Sequence, residues 1–166
     1  MNFSFVHEFD IDPAGFWELF FSEPYEQELY KRLNMRSRTV LERKDDGNVL
    51  RRSQKLEPNS SVPGWASSVI KETGYIEHDE YFKDRSEMLV RIEPAMMKDR
   101  FKMNATFRVT PVGSDRCRRE FSGDVSIGVP LIGGKIEKFM VEQMQKGYET
   151  AAVVTREFVS RRNDKR

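Results

Sequence analysis

Alternating side chains open the chain. Phe3, Phe5, His7 and Phe9 fall on one side and Asn2, Ser4 and Glu8 on the other, which predicts a half-buried strand over residues 2–9 although Val6 interrupts the polar side. Asp12-Pro13 supplies a helix start, with Asp12 as N-cap and Pro13 at the first helical position. Trp17, Phe20 and Phe21 share the apolar face of that helix. Past Ser22-Glu23-Pro24 a second short helix is predicted to about residue 33, because Tyr25, Leu29 and Leu33 recur at every fourth position. Helices this short are not stable alone and must dock on a sheet.

Residues 34–57 read as a hairpin turning at Asp45-Asp46-Gly47-Asn48. Arg36, Arg38, Glu42, Arg43, Arg51, Arg52 and Lys55 load it with charge, so a wet face at a sheet edge is expected. Pro58, Pro63 and Gly64 break the pattern before a helical turn over residues 65–70. Strands follow over residues 74–83, 87–93, 101–111 and 116–129. Pro130 ends the last strand, and Gly133-Gly134 forms a joint. A helix of roughly 25 residues, about 40 Å long, then runs to about residue 161. Its apolar stripe is Ile132, Ile136, Phe139 with Met140, Gln143, Gly147, Ala151, Val154 and Phe158. Residues 161–166 are expected to form a charged, frayed tail, with residues 1–160 as one domain. This order predicts an α+β fold: a curved antiparallel sheet wrapped around a long C-terminal helix, with two short helices after the first strand.

Composition narrows the function classes. Of 166 residues, 38% are hydrophobic and 33% charged, with a formal net charge of +1, a globular balance that argues against non-specific nucleic-acid binding. Cys117 is the only cysteine, so no internal disulfide forms and a reducing, cytoplasmic location is expected. The first twelve residues have neither a basic start nor a continuous apolar run, and no stretch approaches the roughly 20 apolar residues of a membrane span.

Two segments carry a resemblance, VPGW at residues 62–65 and VPLIGGKIEKFM at residues 129–140. With the element order, they resemble the START-like superfamily, also called SRPBCC or helix-grip, and within it an uncharacterised bacterial-type family. That superfamily includes StAR-related lipid-transfer domains, pathogenesis-related pollen allergens and polyketide cyclases. The resemblance implies a pocket for a lipid, sterol or other hydrophobic small molecule between sheet and helix, and no single shared reaction.

Strand parity turns Met88, Val90 and Ile92, then Met103, Ala105, Phe107 and Val109, then Phe121, Val125 and Ile127 toward the long helix. The expected ligand-binding set is Met88, Val90, Met103, Phe107, Phe121 and Val125 from the sheet, and Ile136, Phe139, Met140, Gln143 and Gly147 from the helix. Trp17 and Phe21 join it as parts of a lid. Gly147 opposite Gly123 is expected to leave space, and Gln143 to supply a polar group. The short helices and residues 62–70 form the expected rim, whose aromatics can touch a membrane transiently during exchange.

Chemistry has fewer candidates. His78 shares a strand face with Ile76, Glu80 and Phe82, and a cyclase- or dehydratase-type enzyme would need His78, Glu80, Tyr81 or His7 to converge in the pocket. His78, Asp79 and Glu80 alternate faces and do not make a metal site, and neither metal nor cofactor is expected. Residues 128–136 fail as a phosphate loop, because Lys135 is misplaced relative to Gly128 and Ile136 stands where Ser or Thr is required. Arg116, Arg118 and Arg119 around Cys117 read as a solvated edge. A module that binds a protein through the sheet face or the charged hairpin is the remaining alternative.

Overall fold

Seven strands pair in the order β1-β7-β6-β5-β4-β3-β2, every neighbour antiparallel. The computed structural model describes all 166 residues. In chain order the elements are β1 (Asn2–Phe9), α1 (Pro13–Phe20), α2 (Glu23–Arg32), β2 (Met35–Asp45), β3 (Val49–Pro58), β4 (Tyr75–Phe82), β5 (Glu87–Pro94), β6 (Phe101–Pro111), β7 (Cys117–Ile127) and α3 (Gly133–Asp164). β1 returns to lie beside β7, so the edges are β1 and β2. The Asp12 side chain caps α1 by accepting from Gly15 N–H at 3.1 Å.

Helix α3 is 32 residues long, longer than predicted, and residues 161–164 continue it where fraying was expected. Its sheet-facing run is Ile136, Met140, Met144, Tyr148, Ala152 and Val159, rotated from the predicted stripe. Ala151 and Val154 instead meet Tyr25 and Leu29 of α2, so α3 carries two apolar faces. Gly147 lies on this second face, where a Cβ would sit 3.6 Å from Leu33 Cδ2. It faces α2 and does not stand opposite Gly123.

Gly123 has a different reason to be small. A Cβ there would come 2.2 Å from the Asn104 carbonyl oxygen and 2.8 Å from Ala105 Cα, so β7 can lie this close to β6 only without a side chain. The main core fills the β1, β6, β7 and α1 side with Phe3, Phe5, Phe9, Phe16, Phe107 and Phe121. Trp17 stacks on Tyr81 at 4.1 Å and donates its indole N–H to Ser86 Oγ at 2.7 Å. No helix is long and apolar enough to cross a membrane.

Candidate functional site

The inner face changes character at β3 and β4. Arg52 and Gln54 stand opposite Asp79 and Glu77 in the strand register, and alternation turns all four inward, where α2 lays Glu26 and Tyr30 near them. Arg52 is 2% exposed; its Nε and Nη2 donate to Asp79 Oδ2 at 2.9 and 2.7 Å, and its Nη1 donates to Glu26 Oε1. Arg38 Nε donates to Gln54 Oε1 at 2.8 Å, and its Nη2 lies 3.2 Å from Glu26 Oε1. Gln54 Nε2 donates to Glu77 Oε1 at 2.7 Å and to Tyr30 Oη at 2.9 Å. The hairpin has the expected wet face, with most of β2 and with Arg51 and Lys55 of β3 exposed, but Arg52 and Gln54 on the other face of β3 are buried because acids on β4 and α2 partner them.

Burial sets the protonation of this network. It pushes the Glu77 carboxyl up to about 7, with the Asp79 charge adding to the rise and Arg52 opposing it. Burial also raises Asp79, held back by its Arg52 partner and by a hydrogen bond with Glu77. For Arg52 burial is the largest influence and works against the charge, but Asp79, Tyr30 and Glu77 together outweigh it and the guanidinium is held more firmly protonated. The phenols of Tyr30, Tyr75 and Tyr148 are all raised, chiefly by burial, and each also feels the negative charge of Glu77.

Across from this network, α3 packs on β1, β7 and α2 and stands off the inner face of β3–β5. Tyr148 lies flat on Phe121, rings 4.5 Å apart at 8°. Tyr75, Glu77 and Ile92 on the sheet, and Met140, Met144 and Tyr148 on α3, point inward yet stay only partly buried. In residues 62–70, Trp65 meets Phe139 edge-on at 6.1 Å beneath Lys135, while Val69 and Ile70 pack on the core. Elsewhere β5 and β6 part beyond the Arg91–Asn104 pair, leaving a surface cleft of about 180 Å³ lined partly by Ile92, Phe101 and Met103.

Of the residues expected to bind ligand, Trp17, Met88, Val90, Met103, Phe107, Phe121, Val125 and Ile136 are closed into the core. Phe21 is half-buried against Trp17 and Tyr81, with the Arg52 guanidinium over its ring. Phe139 and Met140 are half-buried. Gln143 is exposed, because the inward face of α3 passes through Met144 and Tyr148. The residues missed are Tyr30, Arg52, Gln54, Tyr75, Glu77, Asp79 and Tyr148. Their signal was the opposite parity of β4, Tyr75, Glu77, Asp79 and Tyr81, whose acids match Arg52 and Gln54 across the strand pair.

The expected acid–base set does not assemble. His78 is on the outer face, bonded to Ser53 Oγ at 2.9 Å and to Glu93 at 3.3 Å, and Glu80 pairs with Arg51 at 2.8 Å. His7 is buried, held neutral first by burial and then by the Arg119 charge. Arg119 Nη2 donates to His7 Nδ1 at 2.9 Å and to the Tyr148 carbonyl at 3.1 Å, which leaves His7 Nε2–H to donate to Glu149 at 3.1 Å. Arg119 is therefore not a solvated edge residue; it is 1% exposed and covered by the rings of Phe9, Phe107 and Tyr148. Cys117 is buried, its thiol pushed up to about 12 by burial. No group of three or more His, Cys, Asp and Glu side chains is placed to hold a metal.

A seven-stranded antiparallel sheet closed over by a long C-terminal helix, with two short helices after the first strand, is the START-like helix-grip fold. The chain is similar to a START superfamily protein from Mycobacterium smegmatis, with 17% identity, a TM-score of 0.60, and 96% of this chain and 97% of that one covered. It is similar to the Zhui aromatase/cyclase from Streptomyces sp. R1128, with 9% identity, a TM-score of 0.68, and 98% and 94% covered. A norcoclaurine synthase from Thalictrum flavum, solved with dopamine and hydroxybenzaldehyde, matches at 15% identity and a TM-score of 0.67, with 97% and 87% covered. At these identities the likeness establishes the fold alone. Residues 4–159 match the model of the family described as "Protein of unknown function (DUF2505)", and the chain belongs to that family. Comparison with curated protein sequences finds no match.

Proposed function

We propose that the protein binds a hydrophobic or amphipathic small molecule, such as a lipid, between the sheet and α3. The observation that carries this reading is the set of inward-facing but incompletely buried side chains on both walls, Tyr75 and Glu77 against Met140, Met144 and Tyr148. A wall packed for stability alone would close over these positions as it does over Val125 and Ile136. The space is apolar toward the core and polar only at the β3–β4 network, the usual composition of a ligand pocket. The norcoclaurine synthase that shares the fold was solved with two small molecules, which is consistent with an interior that admits ligands. The lone buried cysteine fits work in a reducing, cytoplasmic setting.

Residues 62–70 are the proposed gate. They touch α3 through Trp65 and the core through Val69 and Ile70, and no strand pairing ties them down. The direct test is native mass spectrometry of protein purified without detergent, followed by organic extraction. A co-purifying apolar molecule near one per chain is the expected result. An empty protein that also fails to protect residues 62–70 from hydrogen exchange when offered a mixed lipid extract would refute the reading.

A further inference from the structure

We propose that the space beside Glu77 is an ammonium site, so that the ligand of the interior is an amphipathic amine, with a cationic nitrogen on an apolar body. The proposal rests on the ligand-binding reading above and adds the class of the ligand.

Charge balance is the first argument. The groups facing Glu77 are Tyr75 and Asp79 on its own strand, Arg52 and Gln54 on β3, Arg38 on β2, Glu26 and Tyr30 on α2, and Tyr148 on α3, while β5 places Ile92 opposite it. Arg52 serves Asp79 and Glu26, and Arg38 serves Gln54 and Glu26. Two guanidiniums are thus matched by two carboxylates, and Glu77 is the third carboxyl, bonded only by a neutral amide and by its neighbour Asp79. Arg119 stands apart on β7, bound to His7 and the Tyr148 carbonyl, with Glu149 as the acid across His7. Ionised Glu77 therefore leaves one uncompensated negative charge inside the protein, which either a proton or a bound cation must answer.

Two further observations point the same way. Asp79 Oδ1 is buried without a hydrogen-bond donor among the heavy atoms around it. A proton carried by Glu77 satisfies it in the empty protein, and that proton leaves when a cation arrives. Of the neighbouring rings, Tyr30 already carries Arg38 at 4.6 Å and Tyr148 packs on Phe121 and Arg119, which leaves Tyr75 as the ring for an alkylammonium beside the carboxylate. Ile92, Met140 and Met144 offer the apolar surface for the rest of the molecule. A bare metal ion is poorly served by a single free carboxylate.

Binding of an ammonium then requires Glu77 to give up its proton. Burial places that loss near neutrality, and an alkylammonium stays charged to about pH 10. Affinity for an amine should rise between about pH 5.5 and pH 8, whereas affinity for a neutral molecule of the same body should not.

The test uses n-octylamine, 1-octanol and octanoate, each competing with an anilinonaphthalene dye on the full chain. At pH 8 the amine should bind roughly tenfold or more tightly than the alcohol, with octanoate weakest. The advantage should vanish at pH 5.5, and at both pH values in Glu77→Gln, an isostere of the protonated carboxyl. The wild-type pH series needs no variant and so guards against a folding defect. An amine that binds no better than the alcohol at pH 8, or an advantage that survives Glu77→Gln, overturns the ammonium site while leaving the cavity reading intact. If none of the three competes, the cavity reading falls and this proposal with it.

Discussion

Replacing Glu77 by glutamine should stabilise the protein at alkaline pH and leave it unchanged in acid. The native carboxyl is raised from an ordinary 4.5 to about 7. Between those values the folded chain holds a proton that the unfolded chain has released, so wild-type stability falls as pH rises through that window. Above it the whole penalty is expressed, and a displacement of this size corresponds to roughly 3 kcal/mol. The amide introduced by Glu77→Gln would accept from Gln54 and offer Asp79 Oδ1 a donor at every pH, so the variant escapes the penalty. For a chain of 166 residues the gain at pH 8 should appear as a rise in Tm of roughly 5–10 °C. Urea denaturation of both proteins at pH 4, 6 and 8 measures it directly. The difference should be near zero at pH 4, intermediate at pH 6 and largest at pH 8. A constant difference across the series, or a wild type more stable at pH 8, would refute the claim that Glu77 is the surplus charge of the network.

Two further outcomes follow from the same packing. Arg52→Met leaves the carboxylates of Glu26 and Asp79 facing each other without their main cation, and should cost about 3–5 kcal/mol in urea denaturation at pH 7. Adding Asp79→Asn should recover part of that loss, and a double variant as unstable as the sum of the singles would show that the pair is not coupled. Gly123→Ala forces a Cβ against the backbone of β6 and should destabilise by about 1–3 kcal/mol, whereas Gly147→Ala meets only a side-chain methyl and should stabilise α3 by about 0.5–1 kcal/mol. Thermal melts separate the two, and equal effects would mean that neither glycine is read correctly.

Much of the candidate site was hidden because a charged side chain carries no label for burial. Arg52, Glu77 and Asp79 look like surface residues until their partners are placed around them, and the outer parity of β4, with the histidine, drew attention to the wrong face. The same holds for Arg119, which resembles its solvated neighbours Arg116 and Arg118 although one pairs with aromatic rings and the others with Glu8. Helix α3 misled for a different reason. It has apolar residues on two faces, and a single stripe drawn through them slides from the sheet-facing side at Ile136 to the α2-facing side at Ala151.

The sequence by itself determined the element order, the N-cap at Asp12, the hairpin turn at residues 45–48 and the inward parity of β1, β5, β6 and β7. These depend on local backbone preference and on alternation of hydrophobic residues, both of which act over a few residues. Only the tertiary structure decided that α3 leans toward β1, β7 and α2, and that three acids and two arginines meet where β2, β3, β4 and α2 come together. The physical reason is that burial of a charge is a property of its partners, and those partners come from β2, β3, β4 and α2, separated along the chain and joined only when the sheet forms.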